Sequence, residues 1–145
     1  MKPLIVGMAP GHGDSSKPIE GRIGRHLAQL SGMPYEEFLE RTERVNLVEH
    51  DVPRGSWPTE EARARAKVLV QLFVPKRIVL LLGRPVAQAF GLGALDYFSP
   101  TRASLLGSSS PAIVYVVPHP SGLNRWWNDP ANVAQARRFL VGVWR

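Results

Sequence analysis

At 145 residues, with 44% hydrophobic and 21% charged residues, the chain has the balance of a globular protein able to bury a core, which excludes an intrinsically disordered chain. It contains no cysteine, which excludes disulfides, thiolate zinc sites and cysteine-ligated iron–sulfur clusters. Eighteen Lys and Arg against 12 Asp and Glu leave a formal net charge of +6, which favours a polyanionic partner, because basic surface attracts phosphates and releases their counterions.

Pro3-Leu4-Ile5-Val6-Gly7-Met8 predicts a short buried strand, and Ala9-Pro10-Gly11-His12-Gly13-Asp14 a Gly/Pro-rich loop after it. Ile23, Leu27 and Leu30 recur at helical spacing and Gly32 follows them, so a helix is expected to end there. Tyr35 to Glu40 predicts a second short helix, and Arg44-Val45-Asn46-Leu47-Val48 a second strand. Pro58-Thr59-Glu60-Glu61 supplies a proline and acids suited to a first helical turn, with Val68, Leu69, Leu72 and Phe73 as the expected apolar face.

Arg77 to Gly83 and Ala112 to Val117 are continuously apolar rather than alternating, which predicts strands buried on both faces. Gly107-Ser108-Ser109-Ser110 suits a flexible connection between them, and Asn132 to Val143 predicts a closing helix through Val133, Ala136, Phe139 and Leu140. Strands alternating with helices predict an α/β fold with a mainly parallel sheet between helical layers. Ligands of such sheets collect beyond the carboxyl ends of the strands, so the loops starting at Gly7, Asn46, Gly83 and His119 should share one rim.

No run is apolar for the ~20 residues a membrane span requires, and Met1-Lys2-Pro3 leads straight into a strand rather than a signal-peptide core. The expectation is a single domain over residues 1–145, intracellular and cytoplasmic, monomeric, with no membrane partner.

Taken in order, several of these segments resemble the uracil-DNA glycosylase superfamily. Gly7-Met8-Ala9-Pro10-Gly11 looks like its first motif and His119-Pro120-Ser121-Gly122-Leu123-Asn124 like its second. Lys17 to Gly24, Arg44 to Val48, Trp57 to Ala62 and Ile78 to Ala87 follow the order and spacing of the iron–sulfur-containing class. The resemblance implies a three-layer α/β/α sandwich with a central four-stranded, mainly parallel sheet. It also implies a DNA glycosylase that flips a nucleotide out of the stack and hydrolyses its N-glycosidic bond, with DNA carrying uracil or a related damaged or modified base as partner.

In that chemistry the departing pyrimidine gains negative charge while the sugar becomes cationic, so a donor at the base's carbonyl oxygen lowers the barrier. The resemblance gives that role to His119, held between Pro118 and Pro120. It makes Asn46 the reader of the base, since a carboxamide offers one donor edge and one acceptor edge, and it lines the base site with Gly7, Met8, Ala9, Pro10, Gly11 and Ile19. Pro120, Ser121, Gly122, Leu123, Asn124, Arg125 and Arg84 are its implied DNA contacts, Leu123 standing where a wedge residue would be. Taken singly, His119 equally suits a turn histidine that caps backbone groups, Asn46 a strand end, and Trp126 or Trp127 helix packing or stacking on bases.

Three departures stand beside the resemblance. Met8 occupies the place where the iron–sulfur class has a water-positioning acid, although other classes also have an apolar residue there, and His12-Gly13 resembles a cysteine-free class. The nearest acid in the loop is Asp14, a candidate catalytic substitute that suits capping the following turn as well. Ile19 replaces an aromatic that stacks on the base, and the cluster cysteines are missing, so no cofactor is expected. The alternatives are a noncatalytic nucleic-acid-binding module of the same fold and an enzyme doing other chemistry on a modified pyrimidine.

Overall fold

The structure is a computed structural model that describes residues 1–10, 16–103, 111–121 and 123–144. Gly11, His12, Gly13, Asp14, Gly122 and the Gly107 to Ser110 connection lie outside the described residues.

The apolar runs form the strands β1 (Leu4–Gly7), β3 (Ile78–Leu82) and β5 (Ala112–Val117), joined by the more polar β2 (Glu43–Asn46) and β4 (Thr101–Ala103). The sheet order is β2-β1-β3-β5-β4. β2, β1, β3 and β5 run parallel, while β4 lies antiparallel on β5 at the edge. Among the described residues the sheet therefore has five strands where four were expected. The fifth is three residues long with an exposed Arg102 at its centre, too short and too polar to announce itself by pattern.

Alternation along the central strands sends side chains to two separate cores. Leu4, Val6, Val79 and Leu81 meet Leu47, Ala62, Ala66, Leu69 and Phe73 on one face, beneath the helices α3 (Thr59–Leu69) and α4 (Arg84–Ala89). Ile5, Leu80 and Leu82 meet Leu27, Leu30, Phe38, Leu140 and Trp144 on the other, beneath α1 (Arg22–Ser31), α2 (Tyr35–Arg41) and α5 (Pro130–Val143). Each fully buried aliphatic side chain contributes about 1.5–3 kcal/mol. This two-sided burial makes the architecture an α/β/α sandwich.

The helix ends follow local chemistry. Gly32 closes α1 in a left-handed conformation at φ 71°. Asp129 caps α5 by accepting from the Ala131 N–H at 2.9 Å, with Pro130 in the first turn. The expected apolar face of α3 needs correcting. Val68 is 54% exposed and Leu72 38% exposed, and the buried stripe is Ala62, Ala66 and Leu69, continued by Phe73. The buried stripe follows the i, i+4, i+7, i+11 spacing of one helical face, and Val68 and Leu72 fall off it toward solvent.

Candidate active site

The chain passes from β1 to β2 on one side and later returns to β3 on the other, so the order reverses around β1. A reversal of this kind opens a crevice beyond the carboxyl ends of the strands, where ligands of open α/β sheets bind. A pocket of about 70 Å³ lies there, lined by Gly7, Met8, Ala9, Pro10, Lys17, Ile19, Glu20, Ile23, Asn46, Leu82 and His119. Since one water needs roughly 10–15 Å³ on the same measure, the pocket has room for several waters in contact with these side chains. A wider groove continues from it past Met8, Ala9 and His119 to Val52, Arg54 and Trp57.

Asn46 ends β2 opposite Gly7, the last residue of β1. The ladder continues past both, with the Leu47 N–H donating to the Gly7 carbonyl at 2.8 Å and the Val48 N–H to the Met8 carbonyl at 2.9 Å. These bonds fix the first loop beside Asn46, which is only 6% exposed. Its carboxamide has no hydrogen-bond partner among the described residues, although it faces the pocket.

His119 follows Val117 and Pro118 at the end of β5. Its carbonyl accepts from Trp127 Nε1 at 2.8 Å and Asn124 Nδ2 at 3.1 Å, so the backbone beneath the imidazole is held from two sides. Gly83, at φ 96°, passes so close that a Cβ there would stand 3.2 Å from the His119 Cβ. The ring itself makes no hydrogen bond among the described residues. Burial pushes its pKa below the usual 6.5, so the imidazole is neutral near pH 7 and offers one N–H donor and one acceptor.

The turn before α1 completes the wall. Ile19 is buried with φ 62°, a left-handed conformation that is an outlier for a β-branched residue. Gly24 permits it, since a Cβ there would fall 2.1 Å from the Ile19 carbonyl oxygen. The same turn brings Lys17 and Glu20 to the pocket, two residues that the sequence reasoning did not single out. Both lie inside the Lys17 to Gly24 segment already noted for its resemblance, which was the available signal.

Other candidates fall elsewhere. Arg84 turns away from the pocket: its guanidinium donates to the carbonyls of Gly93 and Leu95 and lies 4.1 Å from the centre of the Tyr97 ring. Asn124 is spent inside its loop, also accepting from the Trp126 N–H at 3.1 Å, and Pro120 is buried with its carbonyl against His26 Nδ1. The Ser121 hydroxyl accepts from the Leu123 N–H at 3.2 Å. Leu123 is 77% exposed and Arg125 is exposed beside it, so these two project from the rim. Trp126 packs edge-on against Tyr97 and tilts against Phe98, and Trp127 packs against His26.

Among the described residues no three His, Asp or Glu side chains gather as a metal would require, and the absence of cysteine does not fit a thiolate-held iron–sulfur cluster. No helix among the described residues is long and apolar enough to cross a membrane. No curated protein matches the chain. Among protein families, the uracil DNA glycosylase superfamily matches residues 2–141.

Proposed function

The chain belongs to the uracil DNA glycosylase superfamily, and from that premise we propose that it is a monofunctional DNA glycosylase acting on uracil or a related damaged or modified pyrimidine. One observation carries the reading. Two polar side chains from different strand ends, Asn46 and His119, reach one pocket with their hydrogen-bonding heads unpaired among the described residues. Buried polar groups normally find partners within the protein, so a pair left open toward a cavity suits a ligand that supplies both a donor and an acceptor.

In the proposed reaction the nucleotide leaves the stack and its base enters the pocket, at an unstacking cost of a few kcal/mol. Asn46 pairs with the base edge, and the neutral His119 N–H donates to the carbonyl oxygen that becomes negative as the C1′–N1 bond breaks. In acyl-transfer enzymes loss of one such donor costs about 2.7–4 kcal/mol. Leu123 fills the space left in the stack, and Arg125 meets a phosphate. Water then takes the sugar's C1′.

A second reading, binding without excision, is favoured by Met8, whose thioether cannot take a proton from water. The two separate in one assay. The protein is incubated with single- and double-stranded oligonucleotides carrying uracil or other altered pyrimidines, then treated with alkali. Strand breaks with release of free base support the glycosylase; binding across the panel without breaks supports the module.

A further inference from the structure

We propose that Glu20 is the carboxylate that holds and deprotonates the attacking water, in the place left empty of acid by Met8; the inference rests on the glycosylase reading above. Glu20 is the one acidic side chain among the described residues lining the pocket that holds Asn46 and His119. It is half-buried, and its carboxylate has no hydrogen bond or ion pair among the described residues.

The backbone that delivers Glu20 is built for a fixed position. Ile19, just before it, is held at φ 62°, and Gly21, just after it, at φ 88°. The Gly21 N–H donates to the Tyr35 hydroxyl at 2.9 Å, which ties the turn to α2, while Arg25 lies 4.2 Å over the same tyrosine ring. The Glu20 N–H meets the Lys17 carbonyl at 3.3 Å, closing the turn on itself. Left-handed conformations in bulky residues persist only where the surroundings over-determine them, and they cluster at functional sites. Here the cost of a left-handed isoleucine places the next side chain at the pocket wall. Lys17, exposed in the same turn, suits the phosphate of the flipped nucleotide.

The step balances without a cofactor. The C1′–N1 bond breaks and its bonding pair leaves with the base, then the water oxygen bonds to C1′ while the water proton passes to the Glu20 carboxylate. The leaving oxygen keeps its hydrogen bond from His119. The products are an abasic sugar and a free base that recovers its proton from solvent.

Single-turnover excision with Glu20→Gln, Glu20→Ala and Asp14→Asn tests this, alongside oligonucleotide affinity by fluorescence anisotropy and a thermal melt of each variant. General-base catalysis accounts for roughly 10²–10⁴-fold. The expected result is a loss in that range for both Glu20 variants, with melting and affinity close to wild type and partial recovery of Glu20→Ala in added sodium formate. A merely structural glutamate would show no formate recovery. Wild-type excision with Glu20→Gln rates within about threefold, or the full loss in Asp14→Asn alone, overturns the assignment and leaves the glycosylase standing. A wild type that excises no base overturns both.

Discussion

The Asn46 carboxamide lies against the bare α-carbon of Gly7: a Cβ on Gly7 would stand 2.8 Å from Asn46 Oδ1 and 3.0 Å from Ile19 Cγ1. Gly7 has no unusual φ, so its requirement is one of space rather than conformation. Gly7→Ala should therefore push the amide off its position. The atoms met first belong to side chains that can yield, so the stability loss should be about 1 kcal/mol, the low end for overpacking. Excision or base binding should fall by more than that figure. A thermal melt beside single-turnover kinetics checks both halves.

Gly83 supports His119 in a similar way but with a conformational demand as well. At φ 96° and ψ 160° it occupies backbone space nearly closed to other residues, and its missing side chain is what lets the imidazole stem approach. Gly83→Ala should cost about 1–3 kcal/mol from the backbone alone. It should also displace the His119 ring, so excision falls further than the melt implies, whereas alanine at Gly142 in α5, which has open space around it and no positive φ, should leave excision unchanged.

The pKa of His119, lowered by burial, gives a pH dependence of known sign. Between its lowered value and 6.5 the unfolded chain binds more protons than the folded one, so stability rises with pH through that window. The contribution is complete above 6.5 and is lost as pH falls through the lowered value. The neutral ring already supplies the N–H donor above that window, so the excision rate should be flat above neutral pH. His119→Gln should remove that part of the stability profile, measured by denaturant unfolding across pH.

Leu123 and Arg125 project from the rim and should act on different aspects of DNA binding. Leu123→Ala should slow excision from duplex more than from single strands, because only the duplex leaves a stacked gap to fill. Arg125→Ala should weaken binding at every sequence and reduce the salt slope of affinity by about one phosphate's worth. Titrations at several salt concentrations, on both strand forms, separate the two.

Much of this arrangement was legible in the residues. β1, β3 and β5 read as buried strands because layers on both faces leave no polar position in them. His119 was legible because it follows an apolar stretch at the rim where such sheets bind ligands, and Asn46 through the resemblance carried by Arg44 to Val48. β4 was not, because its pairing with β5 is a tertiary fact that three polar-to-small residues do not encode locally. Arg84 shows what the residues alone leave out. A rim arginine suggests phosphate, and only the fold reveals the Gly93 and Leu95 carbonyls that it serves. Glu20 was hidden for a conformational reason: whether it points into the pocket depends on Ile19 being left-handed, which no propensity favours.

The central claim is that Asn46 and His119 act together on one flipped base. Single-turnover excision of a uracil-containing oligonucleotide by the wild-type protein, His119→Ala and Asn46→Ala tests it most directly. The account predicts excision by the wild type, a loss of roughly 10²–10³-fold for His119→Ala, and a loss for Asn46→Ala that depends on which pyrimidine is offered. Excision that both variants retain at the wild-type rate would contradict it.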